Sequence, residues 1–408
     1  MKPRILYLTH RTPWPPDRGD RIRTWNILKY LSARADVDLV CLADEPVTQT
    51  TRMALEKVTR RLAIVPHSGK RRYIRGALSL ACGRTVTEGL FESRVLNSVI
   101  KQWAQNTTYT ATLASSSGIA SYLQRTELDG VRHSWIDLID VDSQKWLDYS
   151  KSAALPMSLV YGLEGRRLRQ LECRLAAKSD RMLVVSEAER SLFTDFCADA
   201  PIQAVGNGVD TDYFAPANMQ VKPHTCCFVG VLNYLPNSDA VSWFCENVWP
   251  KVHEKYADAE FQIVGKSPTK EVLALAEMPG VNVVGPVPDV RPWLHQSSCV
   301  VVPLRIARGV QNKVLEAMAC GRPIVCSPEP LKGLAVEPGL QLLRADSIDQ
   351  WVDHISRVFE DRFRAEELGI AASAWVHLNH RWESCLEPLN DIVNTSFSEP
   401  EREIGVGK

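Results

Sequence analysis

The chain lacks any long apolar run. Across its 408 residues no stretch reaches the ~18–20 consecutive apolar side chains that a membrane-spanning helix needs, so no such helix is expected. It lacks an excess of charge of either sign. Lys+Arg and Asp+Glu stand at 48 each, and nothing in that balance points to a nucleic-acid partner. It lacks paired cysteines. The 11 cysteines carry no CxxC spacing, and several, such as Cys41, Cys299 and Cys326, sit inside apolar runs. Buried free thiols in a reducing cytoplasm are the expectation, not a disulfide framework. GxGxxG, P-loop, HExxH and GxSxG motifs are all missing, so neither a dinucleotide fingerprint nor the commonest hydrolase signatures are present. The opening "MKPRILYLTH" ends in polar residues without a small-residue cleavage site, and reads as a first strand rather than a signal peptide.

What is there is an alternation. Apolar residues make up 45% of the chain, and its length suits two domains better than one. Short apolar runs recur: 5–8, 37–42, 62–65, 111–114, 134–140 and 181–186, then 225–230, 261–265, 281–285, 299–303 and 323–327. Many are β-branched and apolar on both faces, as buried parallel strands are. The segments between them have helical spacing; Ile22, Trp25, Leu28 and Leu31, for example, fall on one stripe. The pattern predicts an α/β chain of two doubly wound sheets. A Pro-rich, aperiodic seam at 214–225 divides it. The expected domains are 1–214 and 215–374. A helical segment at 375–395 either returns to the first domain or caps the second, and 396–408 reads as a disordered tail.

Three stretches carry candidate chemistry. In "THRTPWPPDRGDRIRTW", Gly19 precedes a helix, so backbone can approach a ligand beside free N–H groups; the plainer reading makes Asp20 the helix N-cap. In "CFVGVLNYLPNSDAVSWF", a strand ends at Gly230, and Asn237-Ser238-Asp239 can cap a helix. Two later runs also end in glycine, at Gly265 and Gly285. Together these suit the floor of a flat ligand outside the carboxyl ends of parallel strands, or tight turns only. In "ARGVQNKVLEAMACGRPIV", Gly309 precedes a helix that Gly321 caps and Pro323 stops. Arg305 and Arg308 before that helix suit a pyrophosphate, and Glu316 can accept two bonds from a ribose diol. Otherwise Lys313 and Glu316 are a surface pair.

Taken together, "PPDRGDRIRTWNIL", "DLIDVDSQKW", "VVSEAER", "GNGVDTDYF", "FVGVLNYLPNSDAVSWF", "GPVPDVRPWL" and "RIARGVQNKVLEAMACGRPIV" resemble the glycosyltransferase family 4 group with the GT-B fold. Within it they are most similar to the sugar transferases associated with PEP-CTERM/exosortase systems and exopolysaccharide clusters. The resemblance implies two Rossmann-like domains with the active site in the cleft between them, a sugar-nucleotide donor on the C-terminal domain, and a glycan or lipid-linked acceptor on the N-terminal one. It implies retention of anomeric configuration and no metal or other cofactor. Carried over by residue, Gly19 faces the donor diphosphate with Asp20 beside it, and Glu316 holds the nucleotide ribose. Gly309, Val310, Gln311, Asn312 and Lys313 lie beside diphosphate and sugar, and Gly230 ends the first donor-side strand.

Two positions depart from the family. Arg308 stands where its first motif glutamate usually does, and Val231 replaces the basic residue expected after Gly230. The missing charge is then assigned to Arg305, Arg308 or Lys313, with Arg308 catalytic. A non-catalytic GT-B scaffold subunit and a sugar-nucleotide epimerase are the rival readings. The segment "GKRRYIRGAL" (69–78) groups Lys70, Arg71, Arg72 and Arg75 around Tyr73, Ile74 and Leu78. It reads either as a peripheral contact with the inner face of the cytoplasmic membrane or as a solvated loop.

Overall fold

The computed structural model describes residues 2–307 and 309–394. Arg308 and the expected tail at 396–408 lie outside the described residues. The chain forms two compact units. Of the described residues, one comprises 2–184, Phe193–Gln203 and 386–394; the other comprises Val185–Leu192 and Ala204–Cys385, Arg308 aside.

The first unit is built on a seven-stranded sheet. Its strands are β1 (Arg4–Thr9), β2 (Asp36–Ala43), β3 (Arg61–Pro66), β4 (Ala111–Ser115), β5 (His133–Ile139), β6 (Arg181–Val184) and β7 (Ile202–Ala204). They lie in the order β3-β2-β1-β4-β5-β6-β7. β1 pairs in parallel with β2 on one side (Ile5 opposite Val37) and with β4 on the other (Ile5 opposite Ala111). Ile5, Leu6, Tyr7 and Leu8 are all fully buried, so both faces of the strand are covered, as the absence of polar alternation predicts.

The helix Gly19–Ser32 is buried almost all round, not along one stripe. Arg21 and Arg23 are buried with Trp25, Ile27, Leu28 and Leu31, while Ile22 is only half-buried. The last segment of the described chain belongs to this unit. Tyr30 Oη donates to Asn390 Oδ1 at 2.8 Å, Arg181 pairs with Asp391 at 2.7 Å, and Leu386, Leu389 and Ile392 are buried.

The second unit repeats the plan with six strands: β8 (Thr225–Val229), β9 (Glu260–Val264), β10 (Val281–Gly285), β11 (Cys299–Val302), β12 (Ile324–Cys326) and β13 (Leu343–Arg344), ordered β10-β9-β8-β11-β12-β13. One face packs on Phe244, Trp249, Phe261 and Trp351, and the other on Val300, Leu315, Met318 and Ile324. In each sheet the strand order reverses beside the first strand, at β1/β4 and at β8/β11. That is where an open parallel sheet leaves a crevice at its carboxyl edge. Among the described residues no helix is long and apolar enough to cross a membrane.

Candidate functional site

At the carboxyl edge of the second sheet three neighbouring strands reach glycine together. Gly230 follows β8, Gly265 follows β9 and Gly285 ends β10. Gly230 N donates to Val264 O at 3.0 Å, and Gly265 N donates to Gly285 O at 2.8 Å. Gly265 and Gly285 both have positive φ, at 155° and 78°. A Cβ on Gly265 would overlap the Gly230 carbonyl, whereas a Cβ on Gly285 would meet nothing within 4 Å. The edge is therefore closely packed between Gly230 and Gly265, while the space a side chain at Gly285 would enter holds no other atom within 4 Å.

The loop leaving Gly230 is pinned by Asn237. Its Nδ2 donates to Val231 O at 2.9 Å, and its Oδ1 accepts from Lys313 Nζ at 2.5 Å. The expected cap at 237–239 is corrected here. The helix runs Leu235–Asn247 with Tyr234 at the N-cap, and Asn237 is buried inside its first turn. Pro236 near the start tolerates that position because the first N–H groups have no intrahelical partner.

Across the strand-order reversal, the loop after β11 leads into the helix Asn312–Ala319. Gly309, at φ 57°, holds a left-handed turn that glycine adopts without cost. Val310 is buried in the apolar layer. Gln311 occupies the N-cap position, and Asn312 Oδ1 accepts from Asn207 Nδ2 at 3.1 Å, which ties the helix start to the "GNGVD" stretch. The helix ends as the sequence predicts. Gly321 has φ 66°, its N–H bonds Met318 O, and Arg322 N–H bonds Ala317 O, the paired closure of a Schellman motif.

Lys313 and Glu316 are not a solvated surface pair. Both are half-buried. Lys313 Nζ lies 5.0 Å from the Phe228 ring centroid, and burial pulls its pKa down to about 8 against the attraction of Glu316. Burial pushes Glu316 up to about 7, with Lys313 opposing. Among the described residues no hydrogen bond reaches the Glu316 carboxylate, and Lys313 is the charge that acts on it. Arg305 is exposed, and its guanidinium forks onto the Asp239 carboxylate, with Nε to Oδ2 at 3.0 Å, so its charge is largely committed. Thus Gly230, Asn237, Asn312, Lys313 and Glu316 are brought together at one edge, while Arg305 is turned to Asp239.

Gly19 and Asp20 belong to the first unit. The N-cap of their helix is Arg18, in extended backbone with no side-chain cap, so the capping expectation for Asp20 is corrected. Asp20 instead sits in the first turn, where the helix dipole favours a carboxylate. Arg11 Nη1 reaches it at 2.6 Å, Arg18 Nε at 2.9 Å and His10 Nε2 at 3.3 Å. Burial alone would raise its pKa, but these three partners hold it well below the usual carboxylate range. Gly19 is exposed as the first residue of the helix.

Sequence reasoning missed the groups around the β4 and β5 ends. Ser116 and Ile139 both have positive φ, at 85° and 73°, and a β-branched residue there is strained. Arg23 and Asp137 form a fully buried ion pair, with Arg23 Nη2 2.8 Å from Asp137 Oδ1. A charge in the middle of the apolar run "SWIDLID" was the available signal. Among the described residues no three His, Cys, Asp or Glu side chains group as metal ligands would.

Residues 223–361 match the model of the family described as Glycosyl transferases group 1. A GDP-mannose-dependent alpha-(1-6)-phosphatidylinositol monomannoside mannosyltransferase from Mycobacterium tuberculosis is 26% identical over 254 residues. The match takes in 54% of this chain and spans 63% of that enzyme's length. Among solved structures, Anabaena HepE in complex with UDP and glucose superposes with a TM-score of 0.67 at 13% identity, over 95% of this chain and 98% of that one. Sucrose-phosphate synthase from Thermosynechococcus elongatus gives 0.70 at 14%, over 96% and 98%. The chain has the GT-B fold: two parallel doubly wound sheets of seven and six strands.

Proposed function

We propose that this chain is a glycosyltransferase that moves a sugar from a sugar nucleotide to a glycan or lipid-linked acceptor. The reaction retains anomeric configuration, needs no metal, and serves the assembly of an exported polysaccharide from the cytoplasmic side. The observation that carries this reading is Glu316, a half-buried carboxylate without a hydrogen-bond partner among the described residues, one turn from Lys313 at the carboxyl edge of the second sheet. A ribose diol would offer two donors to such a carboxylate. The diphosphate lies against Lys313 and the start of the Asn312–Ala319 helix, whose dipole and cation stabilise the leaving group. The fold, the matched family and a relative named as a mannosyltransferase support the assignment.

Gly19 is assigned to the reacting side by its exposed backbone, and Asp20 as the anchor of Arg11 and Arg18. Arg308 is assigned to the leaving diphosphate from its sequence position, three residues before the N-cap Gln311. Arg308→Ala should lower turnover ~10²-fold, the scale of losing one preorganised charge-stabilising group. Arg308→Lys should recover part of that, because an ammonium cannot copy the guanidinium fork, and Arg308→Glu should fall below alanine. Wild-type rates in Arg308→Glu would remove this residue from the donor.

The whole reading is tested by incubating the pure protein with radiolabelled sugar nucleotides, UDP-glucose and GDP-mannose among them, and a lipid-linked acceptor fraction. Label transferred to the acceptor supports it. A chemically altered free sugar nucleotide instead marks an epimerase, and no turnover across a broad panel marks a scaffold. Either result overturns the proposal.

A further inference from the structure

The segment 69–78, left between loop and membrane contact by its sequence, is a helix, and it is built inside out. The helix Arg71–Ala81 buries Gly76 and Ser79. These pack on the helix Val86–Phe91, where a Cβ on Gly89 would come within 2.6 Å of Ser79 Cβ. The apolar side chains point the other way: Tyr73, Ile74 and Leu78 are 59%, 61% and 59% exposed. With Ala77 and Ala81, also exposed, they fill an arc of roughly 140° at 100° per residue.

The orientation is fixed, not incidental. Thr85 and Glu88 close a capping box at the start of the supporting helix. The buried Glu164 accepts from Val86 N at 2.6 Å and Thr87 N at 2.9 Å. Close small-residue contact on one side and these caps on the other prevent the helix from rolling its apolar face inward.

Charge identifies what covers that face. No acidic residue occurs between Glu56 and Glu88. Arg60 and Arg61 in this interval pair with Asp38. Lys70, Arg71, Arg72 and Arg75 have no carboxylate partner among the described residues, in a chain whose net charge is zero. They crowd the N-terminal end of the helix, where the macrodipole disfavours cations, and no side chain caps it. Exposed apolar area flanked by uncompensated cations matches an interface of acyl chains and phosphate headgroups.

We infer that the helix Arg71–Ala81 docks the chain on an anionic phospholipid bilayer, with Tyr73, Ile74 and Leu78 in the acyl boundary and Lys70, Arg71 and Arg72 on headgroup phosphates. This goes beyond the sugar-transfer reading and stands without it.

The test is flotation of the full chain with vesicles of phosphatidylcholine alone and of phosphatidylcholine with phosphatidylglycerol, at low and high salt. No sugar nucleotide is present, so failure here leaves the sugar-transfer reading untouched. The wild type should float with the anionic vesicles at low salt, and be released by high salt. Lys70→Ser with Arg71→Ser, both exposed, should weaken partitioning about 25-fold, at about fivefold per basic residue. Ile74→Ser with Leu78→Ser should weaken it at least as much. Phe363→Ser is the control: Phe363 is 73% exposed, but its flanking Arg362 and Arg364 are paired with Glu366 and Glu367, so it should float as wild type does. All changed positions are solvent-facing, and unchanged circular dichroism checks each fold; Leu78→Lys replaces any variant that fails it. Equal flotation of wild type and docking variants overturns the inference. So does equal binding to neutral vesicles, or a dimer in lipid-free solution that Leu78→Lys dissociates.

Discussion

Lys313 and Glu316 stand on one helix, and burial pulls each toward its neutral form. A ribose-holding Glu316 must be ionised and a diphosphate-holding Lys313 protonated. Donor kcat/KM should therefore fall below pH about 7, where Glu316 takes up its proton, and above about 8, where Lys313 loses its own. Glu316→Gln should abolish the acid limb and Lys313→Met the alkaline one. Identical profiles in all three proteins would detach both residues from donor binding. Glu172 supplies a stability test. It is fully buried, accepts from Ser143 N at 3.0 Å, and burial raises its pKa to about 8. Between the unfolded value near 4.3 and about 8, the native state holds a proton that the unfolded chain releases, so stability drops as pH rises through that window. Glu172→Gln should flatten this slope by one proton in thermal melts from pH 5 to 8.5; an unchanged slope would rule the residue out. Sequence gave little warning of such groups. Arg21, Arg23, Glu164 and Glu172 sit in helical stretches where a charged side chain ordinarily faces water, and only tertiary packing buries them.

At the scale of elements, the β-branched runs of both halves emerge as strands β1–β6 and β8–β12, because burial on both faces leaves a continuous apolar signature. β7 and β13 escaped notice. They are three and two residues long at the sheet edges, too short for any periodicity. Helix starts were read less well than helix ends. Gly321 and Pro323 act locally, so their stop is legible, whereas Asp20 and Asn237 were drawn from capping into longer-range bonds. The helix Arg71–Ala81 hid behind a reversed pattern, polar and small inward, apolar outward. Glycine at the strand ends was legible as a class, but which glycine is indispensable comes from the three-dimensional approach. Gly265→Ala combines positive φ with overlap on the Gly230 carbonyl, and should destabilise the second unit by about 1–3 kcal/mol or more. Gly285→Ala, strained in φ but unobstructed, should cost less. Denaturant melts of the two variants in that order support this account of the glycine edge, and the reverse order refutes it.

For the molecule as a whole, the two strand orders are the same doubly wound plan used twice, which the repeated alternation foretold. The membership of the last segment was not foretold, because an amphipathic stretch does not say which apolar surface it meets. Leu386, Leu389 and Ile392 are buried in the first unit, fastened by Tyr30–Asn390 and Arg181–Asp391. Ending the chain at Cys385 should therefore loosen the first unit rather than the second. Hydrogen exchange should accelerate in the Gly19–Ser32 helix and β6, with β8–β12 unchanged. Faster exchange confined to the second unit would contradict the assignment.

That same return of the chain sets a timetable for synthesis. The first unit is begun first and completed last, because its closing residues emerge only after Ala204–Cys385 have been made. At ~5–20 residues per second this interval lasts roughly 10–40 s. Throughout it, the surface that Leu386, Leu389 and Ile392 will cover stays open on the nascent chain, and when Cys385 is added the second unit has all its residues while the first still waits for its last segment. A ribosome-bound chaperone would then find its client in the older half of the protein, and a chain broken off after Cys385 would strand the half that was translated first.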